Sequence, residues 1–504
     1  MYRAITDYLD RSCNQYPDKC IFADADREIS YEDFVCSSKL VASGLPEKSR
    51  VAIFIDKTVT CLIAMFGAAY ANACYTIIDV KSPLERITTI LSTLEPDYII
   101  CDRKNLKAVS QLQFHKLLIL EDLLAGSVDE EKLAKIRKNQ IDTDPLYVLF
   151  TSGSTGVPKG TVVSHRSVIA YATVICKTFH IKNDTIWGSQ TPFYFSMSVL
   201  DVFSTVVAGA SLHIIPKICF SFPAMLVEYM NERRVNSIYW VPTAFSLVAG
   251  VDTFSECVPQ FLKKILFAGE VMPVKQLNYW IEHIPDAMYA NLYGPTEITD
   301  TCTYYIVDRK FENTESLPIG KAFENCEVLV INENNERVQT ASDGMGELYV
   351  RGSFLALGYY NNPQKTAEAF VQNPLNKAYP ELLYKTGDIV CYDEEGNLLY
   401  KGRKDHQIKH LGHRIELGEI EAAIIALKGV SSVCCIYDEA KQSIVLFYSG
   451  ETDAADIKQR AKTSVPEYML PQQIIKQNAL PINMNGKIDR VKLKEEYLNG
   501  RICE

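Results

Sequence analysis

The sequence predicts a multidomain α/β and α+β protein. A large N-terminal body of parallel sheets flanked by helices, with a β subdomain, precedes a small α+β C-terminal domain. Three observations lead there. Apolar runs alternate with helix-like stretches in two long blocks, the pattern of parallel strands joined by crossovers. From about Ser316 the strands become closely spaced and are punctuated by turns. A polar, glycine-containing segment, Gly402-Arg-Lys-Asp405, then separates residues 1–402 from residues 403–504.

In chain order, Ala4 to Tyr16 and Tyr31 to Gly44 read as helices, and Val51–Ile55 and Tyr98–Cys101 as central strands. Thr58 to Ile78 carries no charge and is long enough to cross a bilayer. Its threonines, Asn72 and the Gly67–Ala69 cluster, followed by Asp79 and Pro83, favour a buried helix running into a buried strand. Leu146–Phe150, Ser211–Ile215, Ser237–Trp240 and Lys264–Phe267 continue the alternation to about Val307. Glu327–Ile331 and Gly346–Val350 belong to the compact β unit. Past the boundary, Gly418 to Leu427 and Asp453 to Val465 read as helices, with strands at Val430 to Tyr437 and Ser443 to Tyr448. A small domain hinged on a large body is one way to remodel a single site for two steps.

At 504 residues the chain exceeds a single small core. Hydrophobic content of 47% with 23% charged residues is that of an ordinary soluble enzyme. A net charge of −10 argues against broad binding to nucleic acid or anionic membranes. Fifteen scattered cysteines show neither a disulfide framework nor zinc spacing, as expected of reduced thiols in the cytoplasm. The adjacent Cys434 and Cys435 suit burial in a strand. Arg3, Asp7, Asp10 and Arg11 leave no apolar signal core at the N-terminus. A cytoplasmic monomer without nucleic-acid or membrane partners is expected.

The most informative segment is Thr151-Ser152-Gly153-Ser154-Thr155-Gly156-Val157-Pro158-Lys159-Gly160. It follows an apolar strand and empties into hydroxyls, glycines and one lysine. Amides at glycines can approach an anion closely, hydroxyls add donors, and Lys159 adds charge for a polyphosphate. It is not a Walker A loop, because Pro158 precedes the lysine and Gly160 stands where Ser or Thr would hold magnesium. Half of this motif would be an ordinary surface turn. His165, soon after the loop, reads as structural rather than catalytic.

The string resembles the phosphate-loop signature of the adenylate-forming (ANL) superfamily, and further motifs follow in that family's order over nearly the whole chain. The resemblance implies the ANL fold, ATP and Mg2+. It implies that Tyr293 stacks on adenine, that Asn291 bonds its amino edge, and that Gly294 and Thr296 line the nucleotide. Glu297 would coordinate magnesium, a hard carboxylate for a hard cation. Alone, Gly294-Pro-Thr-Glu297 is equally a turn opening a helix. Asp388 matches an aspartate that grips both ribose hydroxyls, Tyr400 a second ring beside the nucleotide, and Arg403 an arginine on ribose or phosphate. Asp405 matches the hinge, and Lys487 of Asn485-Gly-Lys487 the catalytic lysine that stabilises charge as a carboxylate attacks the α-phosphate. The implied reaction makes an acyl-adenylate and pyrophosphate. The C-terminal lid then turns about Asp405, withdrawing Lys487 and presenting the face near Gly412 to a thiol.

Within the superfamily the chain is most similar to peptide-synthetase adenylation domains and stand-alone D-alanine–carrier protein ligases, as Ser316-Leu-Pro-Ile-Gly320 and Gly402–Lys409 illustrate. The sequence stops soon after Lys487, so a free-standing ligase loading a phosphopantetheine carrier protein in trans is expected. Amino-acid-activating relatives place an aspartate for the α-ammonium where this chain has Ser196. Losing that counter-charge costs about 2–5 kcal/mol. The other pocket positions are Met197, Leu200, Tyr239, Leu266, Ala268, Leu292, Asp300 and Thr301. An aryl acid such as a hydroxybenzoate is expected, with Asp300 and Tyr239 facing a ring hydroxyl or distal amine. The alternatives are an amino acid held by Asp300, an acyl-CoA synthetase, and a non-catalytic nucleotide- or carrier-binding module.

Overall fold

The computed structural model describes residues 2–112, 114, 116–153, 157–313, 315–405, 407–482 and 488–500. The chain divides into two compact units. The first comprises residues 1–80, 94–149 and 160–404, the second residues 81–93, 150–159 and 405–504.

Two large sheets form the first unit. One has nine strands, in the order Lys321–Ala322, Thr303–Ile306, Met288–Tyr293, Lys264–Phe267, Ser237–Trp240, Ile186–Ser189, Ser211–Ile214, Cys20–Ala23 and Glu28–Ser30. Its six central strands are parallel, and its edges are closed by antiparallel pairs. Ser237–Trp240 is buried at every residue, because helices cover both faces of a parallel sheet and no polar alternation survives. Trp240 anchors this core, packing edge-on against Phe220, Phe245 and Trp280 while its indole N–H donates to the Gly188 carbonyl at 2.7 Å.

The second sheet has seven strands, with Arg50–Phe54 between Cys74–Ile77 and Tyr98–Cys101, all parallel. The uncharged stretch folds as the helix Val59–Tyr70, capped by the Thr58 hydroxyl on the Cys61 amide, and then the strand Cys74–Ile77. Every residue from Cys61 to Ala69 is buried. Among the described residues no helix is long and apolar enough to cross a membrane. Most of the close-spaced strands after Ser316 form a third, antiparallel sheet centred on Met345–Gly352 and Leu382–Tyr392, to which Leu398–Arg403 adds.

The C-terminal segment of the second unit opens with a hairpin of Gln407–His410 and His413–Glu416. A three-stranded sheet of Val430–Asp438, Ser443–Gly450 and Gln473–Lys476 follows, with helices Leu417–Ile425, Ala454–Ser464 and Arg490–Leu498. Alternation along Val430–Asp438 sends Cys435 and Tyr437 into one core with Ile420, Ile424 and Leu446, and Cys434 and Ile436 into another with Phe447 and Leu493. Burial on both faces explains the unbroken apolar run Val433-Cys-Cys-Ile-Tyr437. The strand Gln473–Lys476 and the helix Arg490–Leu498 carried too few apolar residues to be read from sequence.

His165 is structural, as its sequence context suggested. It is buried at the start of the helix His165–Thr178, its Nδ1 accepts the Ile5 amide at 3.3 Å, and its Nε2 lies 3.1 Å from the Gln140 side-chain nitrogen. Burial lowers its pKa to about 4 from 6.5. The unfolded chain therefore binds the extra proton between those values, and stability present above pH 6.5 is lost as the pH falls toward 4. The loss attributable to this residue is about 3 kcal/mol at its limit. Urea denaturation across that window should show a steeper decline for the wild-type chain than for His165→Asn.

Candidate functional site

The loop between Tyr293 and Thr303 is built by a tight reversal. The strand Met288–Tyr293 ends in Gly294-Pro295, a short 3₁₀ turn covers Thr296–Ile298, and the Cys302 amide returns to the Tyr293 carbonyl at 2.8 Å. A Cβ at Gly294 would lie 2.4 Å from the Thr301 Cα and 2.5 Å from the Asp300 carbonyl oxygen, so the loop folds back only over glycine. Thr299 sits at φ 74°, ψ −57°, with the Asp300 amide bonded to the Ile298 carbonyl. That is the strained hand of the γ-turn, unusual for a β-branched residue. The Thr299 hydroxyl holds it in place by donating to the Phe354 carbonyl at 2.8 Å. The turn presents three polar residues, Glu297, Asp300 and Thr301, all buried.

Two groups of side chains emerge from this loop. In the first, the Tyr293 hydroxyl donates to Asp388 Oδ2, and Arg403 Nη1 donates to Asp388 Oδ1 at 2.7 Å. Arg403 Nη2 is held by the Thr386 carbonyl at 3.1 Å. Asp388 and Arg403 are register partners on Leu382–Tyr392 and Leu398–Arg403, so the bonded chain links the nine-stranded sheet to the antiparallel one. Tyr400, on the same strand as Arg403, is half-buried. Asn291 is buried, its side-chain amide donating to the Pro318 carbonyl at 2.8 Å. Each Asp388 oxygen holds one donor and has a further lone pair, a capacity that fits a vicinal diol. Glu297 is fully buried and accepts the Tyr359 hydroxyl at 2.6 Å on Oε1. Such a hard oxygen donor fits Mg2+.

The second group lies over the sheet. Tyr239 and Leu266 are register partners on parallel strands, as are Leu266 and Ala290. The two-residue repeat therefore places Tyr239, Leu266, Ala268 and Leu292 on one face and sends Asn291 and Tyr293 to the other. Met197 and Leu200 are buried with them, at the start of the helix Ser198–Ala208. The Tyr239 hydroxyl donates to Asp300 Oδ2 at 3.1 Å, and a residue the sequence did not single out, Tyr171, donates to the same oxygen at 2.8 Å. The Tyr171 oxygen is also 2.8 Å from the Thr301 hydroxyl. Burial raises the Asp300 pKa to about 8 despite these donors. Ser196 is half-buried, its hydroxyl 3.2 Å from that of Thr296.

Thr151, Ser152, Gly153 and Lys159, expected from sequence to meet phosphates, belong to the second unit. There the Ser152 hydroxyl donates to the Arg414 carbonyl at 2.6 Å and accepts the Glu416 amide at 3.1 Å. The Gly153 amide donates to Glu419 Oε2 at 3.2 Å, and Arg86 pairs with the other oxygen of that carboxylate. Thr151 Oγ1 is buried and has no hydrogen-bond partner among the described residues. Half-buried Lys159 opens the strand Lys159–Ser164. Asp405 begins the C-terminal segment of this unit, and its carboxylate accepts the Gln407 amide at 3.1 Å. Ser154, Thr155, Gly156 and Lys487 lie outside the described residues. Besides Tyr171, the arrangement includes Tyr359 and Thr386, to which sequence reasoning gave no role of their own.

Removing one partner of a buried ion pair costs about 3–5 kcal/mol. Asp388→Ala, which strands the Arg403 guanidinium, is therefore expected to lower the urea midpoint of the first unit far more than Tyr293→Phe, which removes one donor. Equal effects would mean that Asp388 is not the centre of the bonded chain.

Residues 9–360 match the AMP-binding enzyme family, and residues 419–487 match the AMP-binding enzyme C-terminal domain. Tyrocidine synthase 1 of Brevibacillus parabrevis is 29% identical over 508 residues, and the alignment covers 99% of this chain but only 45% of the synthase, so the chain spans less than half of that relative. L-proline--[L-prolyl-carrier protein] ligase of Pseudomonas fluorescens is also 29% identical, over 96% of this chain and 97% of the ligase. The fold is shared with the Vibrio cholerae adenylation domain AlmE, solved in complex with glycyl-adenosine-5'-phosphate (TM-score 0.84, 22% identity, 99% of this chain and 98% of that one). With residues 9–360 and 419–487 matched by these two models, this chain belongs to the AMP-binding enzyme family.

Proposed function

We propose that this protein activates a carboxylic acid with ATP as an acyl-adenylate and then passes the acyl group to the phosphopantetheine thiol of a separate carrier protein. The observation that carries the reading is the bonded chain Tyr293–Asp388–Arg403, which sets an aromatic ring, a diol-accepting carboxylate and a guanidinium side by side. In this reading Tyr293 and Asn291 receive the base, Asp388 the ribose, and Arg403 the ribose or a phosphate. The loop from Thr151 to Lys159 takes the phosphates. Glu297 holds Mg2+, which when bound supplies charge neutralisation between phosphates.

The acid's carboxylate attacks the α-phosphorus of ATP and displaces pyrophosphate. Lys487 balances the charge that develops, and positioning supplies most of the remaining help. The thiol then attacks the acyl carbon and AMP leaves, with Asp405 as the hinge between the two half-reactions. Ser196 offers no counter-charge, so the acid is one whose recognition does not depend on an α-ammonium at that place. Tyr239, Leu266, Ala268 and Leu292 suit an aryl or short hydrophobic chain. The ligase relative of nearly the same length, whose name specifies a carrier protein, supports a carrier acceptor.

Acid-dependent release of pyrophosphate from Mg-ATP, followed by acyl loading of a phosphopantetheinylated carrier protein or of free coenzyme A, tests both halves. Lys487→Ala should slow pyrophosphate release by at least about 100-fold, a loss typical of removing one charge-stabilising group. Equal rates would remove this mechanism, and loading of coenzyme A alone would replace the carrier protein as acceptor.

A further inference from the structure

Most ionisable groups buried near the acid pocket have a partner that accounts for them, and Asp300 does not. Asp201, on the neighbouring helix, is attracted by Lys57, whose ammonium donates to the carbonyl and hydroxyl of Ser189 at 3.0 and 3.1 Å. The charge on Lys57 thus partly offsets the burial of the Asp201 carboxyl. Asp388 has Arg403. Among the described residues, no basic side chain lies within ion-pair distance of Asp300. The groups facing it are the phenols of Tyr171, Tyr239 and, at longer range, Tyr147, together with the like-charged Asp201.

The geometry of the pocket makes the missing partner specific. Both Tyr171 and Tyr239 donate to the same oxygen, Oδ2, and no described donor meets Oδ1. Tyr171 is itself fixed, fully buried on the helix His165–Thr178 with its ring edge-on to Phe354 at 5.5 Å and its hydroxyl against Thr301. The backbone that delivers Asp300 is the strained turn at Thr299, which costs free energy and persists because the Thr299 hydroxyl is anchored. A carboxyl carried on a strained turn, oriented by two phenols and left with one open oxygen, is arranged to receive a donor. Burying a carboxylate without a counter-ion is costly, and an incoming cation offsets that cost where a neutral donor only partly would.

We propose that Tyr171 is a positioning residue of the acid pocket and that, with Tyr239, it aims Asp300 Oδ1 at an ammonium group of the substrate, making the substrate an amine-bearing carboxylic acid. The proposal rests on the acid-activating reading above and deepens it. It moves recognition of the amine from residue 196 to residue 300. No bond is made or broken at Asp300, which acts by charge and orientation alone.

The test is acid-dependent pyrophosphate release with matched acids. Each amine-bearing acid (D- and L-alanine, β-alanine, 4-aminobutyrate, 4-(aminomethyl)benzoate) is paired with its deaminated counterpart (propionate, butyrate, 4-methylbenzoate), and 4-hydroxybenzoate is included. The full-length protein should favour at least one amine over its counterpart by more than tenfold in kcat/KM. Asp300→Asn should abolish that ratio with the KM for ATP changed by less than twofold. Tyr171→Phe should raise the KM for the amine-bearing acid several-fold more than it raises the KM for the deaminated acid or for ATP. A purely structural role for Tyr171 would disturb all of these together. Pyrophosphate release with deaminated or hydroxy acids equal to or above that with amines, or an unchanged ratio in Asp300→Asn, overturns the proposal while leaving acid activation standing. Should Tyr171→Phe fail to fold, the Asp300→Asn ratio decides. No release with any acid would overturn the acid-activating reading itself, and this proposal with it.

Discussion

Three carboxylates taken out of water, each oriented by a tyrosine hydroxyl, set the chemistry of the first unit. Asp388 is held by Tyr293, Glu297 by Tyr359, and Asp300 by Tyr171 and Tyr239. Removing a carboxylate from water costs several kcal/mol even after relaxation, so something must compensate. A phenol compensates partially. It donates a hydrogen bond and fixes the group's direction, yet leaves the negative charge available to whatever approaches next. Asp388 also receives the Arg403 guanidinium.

The loop from Gly294 to Thr301 is the junction through which these groups communicate. Tyr293 enters it from one sheet and bonds to a residue of another, while Glu297 and Asp300 hang from its interior. Because a side chain at Gly294 would collide with the returning backbone, the spacing between Tyr293 and Asp300 is set by main chain, not by adjustable side chains. Alignment of two reactants to within fractions of an ångström is what such rigidity can supply.

Much of the fold could be read from the sequence. Ser237–Trp240 and Lys264–Phe267 match the apolar runs to the residue, because strands buried on both faces leave an uninterrupted signal. The site was legible only in part. Tyr293, Asp388 and Arg403 were found through motif order and are bonded to one another. Tyr171 could not be found that way, since its partner Asp300 is 129 residues away and a tyrosine on an apolar helix face looks like core. The pairing of Tyr359 with Glu297, 62 residues away, was likewise not visible in the sequence. Pairings of this kind depend on which faces meet, and sequence spacing does not encode that. Nor did it show that Ser152 and Gly153 bond to Arg414, Glu416 and Glu419.

The two adjacent thiols of the second unit offer a last consequence. Cys434 and Cys435 point to opposite sides of one strand, each into its own apolar layer, and burial drives both away from the thiolate form. Neighbours so opposed cannot bridge to each other, and neither meets a dissolved electrophile while the strand stays paired. Cys36, in contrast, is exposed. A maleimide dye would thus tag Cys36 well before Cys434 and Cys435, which it reaches only when the C-terminal sheet breathes.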